Sequence, residues 1–136
     1  KNRYVGAKIR TGSFTSTDIE LQSVEMDGSL TQTPEFPYNW MYDGSRPQMP
    51  GFEMEITCKS LFLIFKDSGE MDVGKADVFV NDVYCMTADP HKNNWLHCNA
   101  VLLFWETESR SHKVRITVTE EDQNKKFTIL GFGYTI

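Results

Sequence analysis

The sequence predicts an all-β chain folded as a two-sheet antiparallel β-sandwich, and three observations carry that prediction. Several segments alternate apolar and polar residues with the period of two that a half-buried strand requires. Two others are apolar at every position, as strands covered on both faces are. Polar turn-formers separate these runs at spacings of about ten to twenty residues, a rhythm typical of sandwiches and barrels. No capped window keeps apolar residues at i, i+3, i+4 and i+7, so no ordinary amphipathic helix competes, although a short one is allowed before Asp18 or near Asp89.

The elements can be justified in chain order. From Thr31 to Gly51 lie all but one of the five prolines, together with Tyr38, Trp40 and Tyr42. Such a stretch is hard to form into a strand and reads as a long, functional loop. Leu61-Phe-Leu-Ile-Phe65 and Val101-Leu-Leu-Phe-Trp105 are apolar on both parities and are expected at the centre of the fold. Lys75-Ala-Asp-Val-Phe-Val-Asn-Asp82 sends Ala76, Val78 and Val80 to one side and Asp77, Phe79 and Asn81 to the other. In the strand that starts at His112, Val114, Ile116 and Val118 face inward, while Lys113, Arg115, Thr117 and Thr119 face water. Phe127-Thr-Ile-Leu-Gly-Phe-Gly-Tyr-Thr-Ile136 should close a sheet, with Gly131 and Gly133 suited to a bulge or a close backbone approach. Turns are expected at Lys66–Gly69, Asn81-Asp82, Asp89-Pro90, Glu108–Ser111 and Glu121–Asn124.

The chain has 136 residues, 40% apolar and 24% charged, which suits one domain, 1–136, with a core of its own. Nothing approaches the roughly 20-residue apolar run of a membrane span. A net charge of −5, and no basic run longer than Lys125-Lys126, argue against nucleic acid as a partner. The chain begins at Lys1 with no charged-then-apolar leader, which reads as a mature or excised piece of a larger protein. A monomer is expected. Cys58, Cys85 and Cys98 cannot all pair, so buried thiols are the first reading and a Cys85–Cys98 bridge the second.

Sugars present apolar C–H faces rimmed by hydroxyls, and their sites need flat aromatic rings flanked by amides, carboxylates or guanidinium groups. Two loops supply that mixture. The first offers Tyr38, Trp40 and Tyr42 at alternating positions, with Asn39, Asp43 and Arg46 among them. The second places Asn94 and Trp95 after His91, Lys92 and Asn93. Trp105 follows four apolar residues and is assigned to the core. In this reading Trp40 and Trp95, with Tyr38 or Tyr42, stack on sugar rings, while Asn39, Asp43, Arg46 and Asn94 bond hydroxyls.

Catalysis has little support. No G-x-S-x-G turn, phosphate-cradling glycine loop or H-E-x-x-H helix occurs, so the chain is expected not to be an enzyme. His91, His97 and Cys98 lie close in sequence but lack a second ligand pair at a familiar spacing, so no transition metal is expected. His112 shares parity with Val114 and reads as a satisfied, half-buried histidine. No cofactor is expected. Oxygen-rich loops leave a structural calcium ion open, though without EF-hand spacing.

Trp40-Met-Tyr-Asp-Gly44, Leu61–Asp67, Gly74-Lys-Ala-Asp-Val-Phe-Val-Asn-Asp82, Asn94-Trp95, His112-Lys-Val-Arg-Ile116 and Phe127–Phe132 occur in that order. From about Phe36 onward the chain resembles the jelly-roll, galactose-binding-like modules that accompany SGNH/GDSL-type esterases and other plant-cell-wall hydrolases. Where that pattern commonly has an Asp-Gly turn, this chain reads Asn81-Asp82. The resemblance implies a noncatalytic carbohydrate-binding module on a secreted enzyme, with β-glucan, xyloglucan, mannan or pectin as ligand and a covalently linked catalytic domain as partner. The competing reading is a structural domain docked on its parent esterase or glycoside hydrolase.

Overall fold

The computed structural model describes residues 7–16, 39–45, 51–92 and 98–136. Among them the chain is all-β and antiparallel: β1 (Lys8–Arg10), β2 (Thr15–Ser16), β3 (Trp40–Tyr42), β4 (Phe52–Lys66), β5 (Ala76–Val80), β6 (Val83–Ala88), β7 (Cys98–Val118) and β8 (Phe127–Thr135). Hydrogen-bonded neighbours run β2-β3-β8-β4-β7-β5-β6, and β1 also pairs with β4.

Two long strands turn this continuous sheet into two leaves. Residues 52–58 of β4 pair with β1 and with residues 110–116 of β7, which pairs onward to β5 and β6. Residues 60–66 of β4 pair instead with residues 98–105 of β7 and with β8, which leads to β3 and β2. We call these the first and second leaf. Phe52 in the first leaf meets Trp40 at 5.2 Å and Phe132 at 5.7 Å, both in the second, and Cys85 Sγ reaches the Leu103 carbonyl at 3.7 Å. The core lies between the leaves, as expected of a sandwich.

The crease is a change of phase. Even-numbered Phe52, Met54, Ile56 and Cys58 are buried before it, and odd-numbered Leu61, Leu63 and Phe65 after it, because the register slips between Cys58 and Ser60. On β7, residues 106–109 have no β4 partner at the same point. An extra residue between paired positions reverses which face every later side chain takes. Leu61–Phe65 is thus not covered on both sides: Phe62 is exposed on the outer face.

Local features follow the predicted pattern, with four corrections. Ala76, Val78, Val114, Ile116 and Val118 are buried as their parity demands, but Thr119, expected to face water, is buried and bonds through its N–H to the Lys75 carbonyl. The Glu108–Ser111 turn signal falls inside β7, in and beside its unpaired stretch. Trp40–Tyr42 forms a short strand despite the surrounding prolines, held between β2 and β8. Trp105, assigned to the core, is exposed.

Asn81 and Asp82 take φ of 52° and 65°, the double left-handed geometry that joins two strands tightly, so the β5–β6 hairpin forms without glycine. On β8 the register slips where Ile64 faces Gly131 and Phe65 faces Ile129, placing a bulge beside Gly131. Rather than closing an edge, β8 lies between β3 and β4. Glu120–Asp122 makes one short 3₁₀ turn. No helix among the described residues is long and apolar enough to cross a membrane.

Candidate functional site

Half of the predicted sugar-binding residues, Tyr38, Arg46, Asn94 and Trp95, lie outside the described residues. The other half are not assembled as a platform. Trp40 is only 7% exposed, its ring packed by Phe52 at 5.2 Å and Phe132 at 6.3 Å. Tyr42 is 3% exposed, 5.7 Å from Phe14, and its hydroxyl donates to the Gln123 carbonyl. Burial, helped by Asp43, pushes the Tyr42 phenol above its ordinary pKa. Asn39 is fully buried, with neither side-chain polar atom partnered. Only Asp43 faces solvent, where its Oδ1 accepts from the N–H and hydroxyl of Ser45 at 2.9 and 2.6 Å. Trp40 and Tyr42 therefore serve the core: in a strand bordered on both sides, their rings complete the packing between the leaves.

Two histidines, His112 and His91, are also held internally, and His97 lies outside the described residues. His112 is buried, with both ring nitrogens bonded. Asn81 Oδ1 accepts the Lys113 N–H at 3.0 Å, which leaves the Asn81 amide to donate to His112 Nδ1 at 2.9 Å. The ring proton then sits on Nε2, pointing at Glu106 Oε1 2.6 Å away. A histidine so engaged is a structural clasp between the tip of the β5–β6 hairpin and the unpaired stretch of β7. The same Glu106 carboxylate accepts from Arg110. His91, half-buried, bonds the Val73 carbonyl at 2.7 Å through Nε2. No cluster of three His, Cys, Asp or Glu among the described residues is arranged to hold a metal ion. Cys58, Cys85 and Cys98 form no disulfide, and burial raises the thiol pKa of Cys58 and Cys85.

Two surfaces combine exposure with suitable chemistry. On the outer face of the second leaf, Trp105 lies opposite Ser60, which lies opposite Thr135; Leu102 lies opposite Phe62, which lies opposite Gly133. Trp105 is 81% exposed, Leu102 48% and Phe62 40%. Ser60 and Thr135 share a hydroxyl hydrogen bond of 2.7 Å in the Trp105 row. A Cβ at Gly133 would rest 3.7 Å from Phe62 Cβ, so the glycine keeps the strip low beside the ring. Sequence alternation hid this site, because the phase change makes Val101–Trp105 look buried on both faces.

On the outer face of the first leaf, two rows of directly opposed residues cross the strands. One reads Lys8, Glu55, Lys113, and the other Arg10, Glu53, Arg115, Phe79, Tyr84. The Arg115 guanidinium lies 4.1 Å over the Phe79 ring, and Tyr84 meets that ring edge-on at 6.0 Å. The same face holds a cavity of about 370 Å³, lined by Lys8, Arg10, Glu53, Met54, Glu55 and Lys113.

No family model and no curated protein matches this chain. Among solved structures it is similar to a two-domain esterase (CEX) active on acetylated mannans, at 13% identity and a TM-score of 0.62, over 93% of this chain and 33% of that one. It is also similar to such an esterase co-crystallized with mannopentaose, at 15% identity and a TM-score of 0.56, over 99% of this chain and 38% of that one. The chain thus spans about a third of the length of the esterase chains it matches. At such identity the likeness is one of fold.

Proposed function

We propose that this chain is a noncatalytic, secreted carbohydrate-binding module that targets a parent esterase or related hydrolase to plant cell-wall polysaccharide, with mannan as the first ligand to test. One observation carries the reading: Trp105 stands 81% exposed beside Leu102, Phe62 and a hydroxyl pair on a strip kept low by Gly133. An exposed indole offers a flat apolar face to sugar C–H groups, and the exposed Thr135 hydroxyl beside it, steadied by the buried Ser60 hydroxyl, exchanges hydrogen bonds with the sugar rim. Each such bond replaces one to water and contributes only about 0.5–1.5 kcal/mol net, so stacking supplies much of the affinity, which is modest. The choice of mannan leans on the likeness in fold to an esterase active on acetylated mannans.

Affinity electrophoresis against mannan, β-glucan, xyloglucan and pectin tests this reading. Retardation by a neutral polysaccharide that disappears in Trp105→Ala supports it. Retardation by none of the neutral polysaccharides, or such retardation untouched by Trp105→Ala, rejects it.

The docking alternative draws on the other apolar side chains of the same strip. Leu102 and Phe62 would suit the surface of a covalently attached catalytic domain as well as a sugar ring. Protection of Trp105 from solvent quenchers only when the parent catalytic domain is present would favour that reading.

A further inference from the structure

We infer that the outer face of the first leaf is a second binding site, and that its ligand is a carboxylated sugar of the uronate class. The inference rests on reading the chain as a glycan binder but uses a surface on the opposite leaf from Trp105. The two rows alternate in charge, cation-carboxylate-cation: Lys8, Glu55, Lys113 and Arg10, Glu53, Arg115. Each carboxylate therefore lies between two cations on neighbouring strands.

Opposed charges on facing strands ordinarily close into pairs. Here they do not: among the described residues, neither Glu53 nor Glu55 has a nitrogen of a basic side chain within 4.0 Å. Lys113 is tied outward to Asp82 at 3.1 Å, and Arg115 lies over Phe79. Lys8 and Arg10 keep their donors, and Glu53 and Glu55 their acceptors, around a cavity of about 370 Å³. That volume falls in the roughly 300–1,000 Å³ range of small-ligand sites.

The two unpaired kinds of group select the ligand class. Guanidinium and ammonium donors match a carboxylate, Arg10 through a two-pronged fork. Free carboxylates match hydroxyl donors, of which a simple anion such as sulfate carries none and inorganic phosphate no more than two, against the several of a sugar ring. A uronate offers one carboxylate and several hydroxyls on a single ring, so it meets both demands together. Phe79 and Tyr84, continuing the Arg10 row, extend the face toward a neighbouring sugar.

The test is affinity electrophoresis of the 136-residue chain in gels containing polygalacturonate, a neutral mannan or polyglutamate. The expected result is retardation by polygalacturonate that weakens with added salt and falls about tenfold in affinity in the Lys8→Gln/Arg10→Gln double variant. Glu53→Gln should weaken it as well, because the variant sheds a negative charge and yet trades a carboxylate that accepts hydroxyls at both oxygens for an amide with one weaker acceptor. Trp105→Ala should leave it in place. No retardation by polygalacturonate, or no response to the double variant, overturns the inference even where mannan binding at Trp105 stands. Equal retardation by polyglutamate, or tighter polygalacturonate binding in Glu53→Gln, reduces the face to general attraction for polyanions and also overturns it.

Discussion

His112 Nε2 and Glu106 Oε1 meet at 2.6 Å across the stretch of β7 that has no partner on β4. Arg110 bonds the same carboxylate, and Asn81 at the tip of the β5–β6 hairpin bonds the far side of the imidazole. Backbone pairing to β4 lapses over residues 106–109, so these side chains fasten the bulge at the crease between the leaves.

Removing the Glu106 charge should loosen that crease in a pH-dependent way. The hydrogen-bonded Arg110 guanidinium holds the Glu106 carboxyl below its usual range, against partial burial and with help from His112. A carboxylate with a depressed folded pKa stabilises the fold above its unfolded pKa, about 4.3 for Glu, and loses that contribution as pH falls through the folded value. Glu106→Gln is expected to unfold at lower urea than the parent at pH 7, with the gap closing toward pH 3. Coincident curves at pH 7 would contradict this.

Asp67 should behave with the opposite sign. Burial pushes its carboxyl above the ordinary range; Asn99 at 2.7 Å draws it back, Asp89 raises it and His91 lowers it, while Oδ2 is buried without a partner. The folded state is then penalised above the folded pKa and relieved below the unfolded value of about 3.9. Asp67→Asn is expected to be more stable than the parent at pH 7, by an amount that fades toward pH 4. Thermal melts at both pH values decide it.

The tryptophans should separate cleanly. Trp40→Ala empties a packed position beside Phe52 and Phe132 and should destabilise by about 3–5 kcal/mol. Trp105→Ala, at an exposed position, should stay within about 0.5 kcal/mol of the parent. Paired urea titrations would expose an inversion of that order.

The hairpin gives a contrast between neighbours. Both turn residues have positive φ, where glycine relieves strain, yet they differ in what their side chains hold. Asp82 bonds only the exposed Lys113 ammonium, so Asp82→Gly should change stability by less than about 1 kcal/mol. Asn81 bonds His112 and the Lys113 amide, so Asn81→Gly should destabilise by about 1–3 kcal/mol despite the easier backbone. Equal effects from the two changes would show that the turn, and not the clasp, matters.

Legible in the sequence were the all-β class and four of the eight described strands, β5 and β8 nearly whole and β4 and β7 in part. Alternation over Ala76–Val80 and Val114–Val118 is a local property of a pleated backbone, and each of those residues took the face its parity assigned. The inward-facing, satisfied His112 was legible for the same reason. Which aromatic rings meet solvent was decided only in the tertiary structure. A period of two says nothing about where its phase slips, and the slips near Cys58, Ser60 and residues 106–109 set the outward face of everything beyond them. Trp105 was thereby turned out of the core, while β8 and β2 enclosed Trp40 and Tyr42 from strands distant in sequence. The charge rows of the first leaf needed the same long-range pairing, because Lys8, Glu55 and Lys113 become neighbours only when β1, β4 and β7 align.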